Sequence, residues 1–424
     1  MRSLLALLSS FMLLFSFAQA AEPIVVSTAT TVPFKVQLDV VHEGFDGKRC
    51  FVQNRAGIVP RKNEPPIIIM TANPLLLPGS DVYFTVHDFR SDDLGKTWTG
   101  PTRHDGLARR SDGVRDGQPV EIGVCDFWPK WHAKSGKLLN IGHTVRYVDD
   151  KHPLPNMRRE TAYTIYDPES RTWTPWTRLM MPGSDETYNC GAGCIQRVDL
   201  PNGDILLPVY GGQRTPDDPY THVKVIRCGF DGTTLTLKEE GEPLRQESKR
   251  GFAEPSLTRF GGKFYLTIRH DDSGYVAVSD DGLHFSKPTP WCWDDGSSLG
   301  NYNTQTHWVT HSDALHLAYT RRGAANHHVF RNRAPIFLGE VDPTTLRVKR
   351  DSERVLIPER GARFGNFGIC EVSENETWVT DSEWMQTWKQ TSSSLGLDNP
   401  YGAKNRVYAA RILWDKPNTD WNSR

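Results

Sequence analysis

Apolar residues in this chain come in short runs rich in β-branched and aromatic side chains, each broken by Gly, Asp, Asn or Pro. Residues 66–70, 81–86, 138–142, 162–166, 205–210, 263–268, 275–278 and 377–380 are of this kind. Almost nowhere do apolar positions recur at the three-to-four spacing of an amphipathic helix, and the length of the runs suits strands. The pattern predicts an all-β chain: a sandwich, a barrel or a propeller.

Repetition narrows the choice. Ser91-Asp92-Asp93-Leu94-Gly95-Lys96-Thr97-Trp98 returns, one residue shorter, as Ser279-Asp280-Asp281-Gly282-Leu283-His284-Phe285, with weaker echoes at Asp167 and Asp231. Such a segment closes a hairpin: the Asp accepts backbone N–H groups, the Gly supplies a positive φ, and the aromatic packs beneath. Repeated closed hairpins favour radially arranged four-stranded blades, a β-propeller.

Composition adds limits. The 424 residues carry no Pro/Ser-rich linker, so residues 21–424 are expected to form one domain. Residues 1–20, a long apolar run ending Ala18-Gln19-Ala20, have the features of a cleavable signal peptide, which predicts a secreted or periplasmic protein. No later run is long enough to span a membrane. A formal net charge of −1 offers no global field for nucleic acid. The seven Cys are too few for a disulfide scaffold, although some have partners available in an oxidising compartment. Cys190 and Cys194 lack the second pair of a zinc ribbon, so no metal and no cofactor is expected, and the chain is expected to be a monomer.

The order of these motifs resembles the sialidase superfamily, whose Asp-box (BNR-repeat) turns decorate six-bladed propellers of four-stranded antiparallel blades. Asn54-Arg55-Ala56-Gly57-Ile58-Val59-Pro60 is similar to its Arg-Ile-Pro opening. The resemblance implies an arginine triad of Arg55, Arg269 and Arg333, with Arg331 close to the last. It also implies an acid/base at Asp81, a Glu that assists the nucleophile at Glu254, and a Glu that props the first Arg at Glu383. One departure stands out: where the family keeps its nucleophilic Tyr, this chain reads Gly365-Asn366-Phe367-Gly368.

Arginine suits bidentate recognition of a carboxylate, so three around one point imply an anionic sugar, whether sialic, uronic or sulfated. Asp81 and Glu254 would supply the two carboxylates of a glycosidase. This gives the first functional expectation, a glycoside hydrolase acting at an acidic sugar, with Tyr188 or Tyr302 as a substitute nucleophile and Tyr302 also placed to bind sugar. His132 and His143 flank one hairpin and Tyr188 opens the next blade. Together they suit β-elimination, the chemistry of a polysaccharide lyase on uronic-acid polymers. The third expectation is a propeller that binds glycans without cutting them.

Overall fold

The computed structural model describes residues 25–27, 29–77, 81–151, 159–181, 189–212, 217–385 and 399–421. The signal-peptide segment and Tyr188 lie outside the described residues. The chain forms six antiparallel sheets, each built on a four-stranded meander, in a six-bladed β-propeller. The first blade is Arg49–Arg61, Glu64–Leu76, His87–Ser91 and Thr99–Arg103. The second centres on Gln118–His132, Lys137–Tyr147 and Thr161–Asp167. The third is built on Ile205–Gly211, His222–Phe230 and Leu235–Glu240, and the fourth runs from Ala253–Phe260 to Thr289–Pro290. The fifth opens with His307–Thr310. The sixth combines Gly368–Ser373, Glu376–Ser382 and Arg406–Trp414 with Phe34–Glu43 from the other end of the chain. Phe34–Glu43 pairs with Arg406–Trp414 over almost its whole length and closes the ring.

The continuous apolar runs have a simple cause. Each blade is covered on both faces by its neighbours, and alternate side chains of a strand go to opposite sides. Leu206 packs toward the fourth blade with Leu257 and Leu266, while Ile205 and Leu207 pack toward the second with Leu139 and Ile141. Ile68 faces the sixth blade, and Ile67 and Ile69 face the second. The core is thus a ring of inter-blade wedges, with no single centre.

The turns at the repeated motifs close as their composition predicts. Ser91 Oγ receives the Gly95 N–H at 2.8 Å, and Asp93 Oδ1 receives the Thr97 N–H at 2.9 Å. Ser279 and Asp281 make the matching bonds to Gly282, Leu283 and His284. The predicted strand over 81–86 is irregular instead: Tyr83 makes a single bridge to Leu75, and Asp81 sits at φ 60. All seven Cys are free thiols and six are buried. No helix among the described residues is long and apolar enough to cross a membrane.

Candidate active site at one end of the propeller axis

The innermost strand of every blade is interrupted or preceded by one residue with positive φ. These are Gln53 (φ 61), Asp126 (56), Cys194 (64), Glu254 (44), Asn303 (49) and Gly365 (118). In the first, second and fourth blades the residue coincides with a β-bulge, between Val52 and Arg55, Cys125 and Trp128, and Ala253 and Ser256. Five of the six carry a side chain. A left-handed non-glycine residue is strained, and a bulge re-aims the side chain at the end of a strand. Repeating that device around the axis points one residue per blade at one end of the molecule.

Beneath this ring the axis is plugged by a polar network. Arg55 is fully buried; its Nη1 donates to Asp126 Oδ1 at 3.1 Å, its Nη2 to Gln305 Oε1 at 3.1 Å and its Nε to the Phe367 carbonyl at 3.3 Å. His307 links Ser256 Oγ (2.6 Å) to Gln305 Oε1 (3.0 Å). Asp126 also faces His143, whose Nε2 is 3.4 Å from its Oδ2. Burial alone would raise the Asp126 carboxyl; His143 and Arg55 override it and hold the group well below the usual carboxylate range. Burial, with Arg159 nearby, lowers His143, which is therefore neutral. Cys125, Asp126 and His143 have metal-ligand donor types within 4.8 Å of one another, but the Arg55 guanidinium on Asp126 opposes a cation there.

Above the plug lies an arginine basin. Arg269 Nη1 bonds Glu254 Oε1, and its Nη2 donates to Asn303 Oδ1 at 2.6 Å. Arg333 Nη2 donates to the Asn303 carbonyl, and Arg250 Nη2 reaches Asn303 Oδ1 at 3.3 Å. Asn303 therefore orients three guanidiniums from three separate segments. Gly365 makes room for the arrangement: a Cβ there would fall 2.5 Å from Thr304 Oγ1 and 3.2 Å from Arg333 Cδ, and φ 118 disfavours any other residue. Glu254 Oε2, Arg269 Nε and Arg333 Nε are buried with no hydrogen-bond partner. Burial would raise Glu254, but Arg269 outweighs it and keeps the group a carboxylate at neutral pH. Arg333 is pushed well below the ordinary arginine range by burial and by Arg269, Arg363 and Arg331.

Asp81 borders the same basin. Its Oδ1 accepts the Tyr83 hydroxyl at 3.1 Å, its carbonyl accepts the Tyr147 hydroxyl at 2.7 Å, and its charge acts on Arg159, Arg331 and Arg363. The phenol that feels Glu254 is Tyr210, raised well above its ordinary value mainly by burial; Arg159 Nη1 is 3.5 Å from its hydroxyl.

The fold thus brings together Arg269, Arg333, Glu254 and Asp81, with His143 and Arg55 in the layer below. Tyr302 stands beside Asn303; its hydroxyl donates to Asn332 Oδ1 at 2.8 Å and Arg322 lies 4.0 Å over its ring. His132 is elsewhere. It sits at the turn end of the hairpin of which His143 holds the mouth end, and its ring nitrogens contact Ser135 Oγ (2.8 Å) and the Gly203 carbonyl (2.9 Å). Glu383 does not touch Arg55: it accepts the Tyr408 hydroxyl (2.8 Å) and the N–H groups of Lys404 and Arg406. The carboxylate on Arg55 is Asp126. Sequence reasoning gave no site role to Asp126, Tyr210 or Arg363, and placed Asn303 only within a polar loop, residues 301–308, suited to gripping a sugar. The one signal available was a polar residue within an otherwise apolar run, as in Cys125-Asp126-Phe127, and it does not by itself distinguish a bulge from an ordinary turn.

No protein-family model and no curated protein sequence matches this chain. Solved structures do. A protein of unknown function from Dyadobacter fermentans superposes with a TM-score of 0.56 at 14% identity, over 89% of this chain and 99% of the other. NanB plus Optactamide gives 0.60 at 12% identity, over 88% and 70%. Trypanosoma rangeli sialidase with the inhibitor DANA gives 0.51 at 13% identity, over 85% and 55%, so this chain spans about half the length of that enzyme. At such identities the likeness concerns the fold, and the fold is the sialidase-like six-bladed propeller.

Proposed function

We propose that the protein is an exported glycan-degrading enzyme, a sialidase-like glycoside hydrolase that acts at an acidic sugar. One observation carries the reading: Arg269 and Arg333, from different blades, are aligned on Asn303 with their buried Nε–H groups unmet, beside a Glu254 oxygen that is also unmet. Buried donors without partners cost about 1–3 kcal/mol each. A planar carboxylate placed between the two guanidiniums would relieve that cost and pair their charges. Glu254, ionised at neutral pH, would act as base toward a nucleophile, and Asp81 would pass a proton to the leaving oxygen. Tyr210 is the phenol closest in kind to a nucleophile assisted by Glu254.

The test is release of an acidic monosaccharide from a panel of sialosides and uronate-capped oligosaccharides. Arg333→Gln, which leaves the Arg269–Glu254 pair intact, should lower kcat/KM on the responsive substrate by at least about a hundredfold. Near-normal turnover by that variant would exclude the clamp.

A second reading, β-elimination, has its own support: His143, Tyr210 and Arg159 adjoin one another, with the two rings 6.1 Å apart. Elimination leaves an unsaturated uronate, so products without its ultraviolet absorbance would rule it out.

A further inference from the structure

Asn303 carries bonds from guanidiniums of three separate segments, and the loop around it is built to keep it still. Its own N–H donates to the His270 carbonyl at 2.9 Å, in the fourth blade. On one side the Tyr302 hydroxyl donates to Asn332 Oδ1 at 2.8 Å. On the other, Thr304 Oγ1 donates to the Gly365 carbonyl at 3.2 Å, at the approach to the sixth blade. Three consecutive residues are thus tied to three different segments, and a side chain locked by its surroundings can hold others in place.

The residue type at this position is a narrow choice. Its backbone is left-handed, φ 49, a conformation that Gly, Asn and Asp adopt most readily. Gly has no side-chain acceptor for Arg269 Nη2 (2.6 Å) and Arg250 Nη2 (3.3 Å), both of which donate to Oδ1. Asp has the acceptor but adds a carboxylate. Arg250 is already met by Asp271, through Nε at 2.9 Å and Nη2 at 2.5 Å, and Arg269 Nη1 is met by Glu254. A further carboxylate would stand where an anionic ligand has to bind and would compete with it. Asn supplies an uncharged oxygen that fixes the guanidinium planes. The amide has one usable orientation, because its NH2 turned toward the arginines would set donor against donor.

We propose that Asn303 is a positioning residue that makes this basin selective for anions: it aligns Arg269 and Arg333 without placing a competing carboxylate between them. The inference rests on the acidic-sugar reading and names the residue that tunes it. With Nη1 of Arg269 on Glu254, Nη2 of Arg269 on the Asn303 side chain and Nη2 of Arg333 on the Asn303 carbonyl, the two buried Nε–H groups are left for the ligand.

The test is isothermal titration of the full chain with the methyl glycosides of N-acetylneuraminate and glucuronate, each beside its methyl ester, which keeps the ring and loses the charge. The wild type should bind at least one of the acids at least about tenfold more tightly than its ester. Asn303→Asp should bring that acid down to the affinity of its ester and leave the ester within about twofold. Its Tm should not fall, because the added carboxylate lies against two guanidiniums. Asn303→Gly, which suits the backbone and removes the acceptor, should weaken the acid at least about fivefold. Full retention of the acid preference by Asn303→Asp, or wild-type affinity in Asn303→Gly, would overturn the role of Asn303 and leave the clamp standing. Equal weakening of acid and ester by Asn303→Asp would overturn it too, since the residue would then touch the sugar itself. A lowered Tm in Asn303→Asp would do the same, by showing that the guanidiniums do not gather on Oδ1. Failure of the wild type to prefer any acid over its ester would overturn the acidic-sugar reading along with it.

Discussion

The two ends of the propeller axis are built from the same six strands and differ in almost every physical respect. At one end the strands are interrupted or preceded by left-handed residues, and Arg269, Arg333 and Glu254 leave buried polar atoms unmet. At the other end the same strands, a few residues further on, line a cavity of about 470 Å³ walled by Ile58, Trp128, Ile195, Leu257, Trp308 and Ile369. No buried side-chain nitrogen or oxygen in that lining lacks a partner. Gln196, for example, satisfies both the N–H and the carbonyl of Trp308. A cavity is therefore not what sets the proposed site apart: what does is the convergence of unmet polar atoms from Glu254, Arg269 and Arg333 at one point.

The sharpest way to break this contrast is at the plug between the two ends. Asp126→Ala would take from Arg55 the carboxylate it bonds directly; its other hydrogen-bond partners, Gln305 and the Phe367 carbonyl, are neutral, and Asp381 contributes only a coulombic attraction. Removing one member of a buried ion pair costs about 3–5 kcal/mol. Urea unfolding should show a loss of that size. A loss under about 1 kcal/mol would mean that the plug is not what holds the ring of left-handed residues in place.

Next in size is a pH effect at Asp381, which receives the Gly365 N–H on Oδ2 at 3.0 Å and the Ser382 N–H on Oδ1 at 2.8 Å. It thereby fixes the bend over which Arg333 passes. Burial raises this carboxyl to about 7. A raised acid contributes stability that is fully present below its unfolded value, near 3.9, and is lost as pH rises through the folded value. Buried His143 and His307 run the other way, since burial lowers both and their stability is lost as pH falls. The Asp381 contribution is therefore read as a difference. The advantage of the wild type over Asp381→Asn should shrink between pH 4 and 7 by up to about 1.4 kcal/mol per pH unit. Parallel stability curves for the two proteins would place the Asp381 pKa outside that window.

How much of this was legible in the sequence follows from which interactions are local. The repeated turns at Ser91 and Ser279 bond within a few residues, so their chemistry and the blade architecture were readable from composition and spacing. Arg269 and Glu254 were readable as a pair because one hairpin carries both. The partners of Arg55 were not: Asp126, Gln305 and Phe367 come from three other blades, and nothing near Arg55 names them. Flanking one hairpin suggests that His132 and His143 act together. A strand rises about 3.3 Å per residue, however, and the extra length of Lys137–Tyr147 carries His143 to the far end. Asn303 belongs to a loop whose composition suits sugar contacts, but only the closed ring brings three arginines onto it.

The smallest expected effect tests the quiet end directly. Thr258 and Thr310 line the cavity and share one hydrogen bond, Oγ1 to Oγ1 at 2.8 Å, between the fourth and fifth blades. Replacing both with Val removes the donor and acceptor of this bond together and keeps the shape, a change that is close to neutral for the pair itself. Thr258→Val/Thr310→Val should stay within about 1 kcal/mol of the wild type in urea unfolding. It should also bind an acidic saccharide at the mouth with unchanged Kd. The two ends are joined through Ser256, His307 and Gln305, and those bonds involve neither threonine. A tenfold change in Kd would show that ligand occupies the cavity or that the plug transmits strain along the axis, and either result would end the division of labour between the two ends.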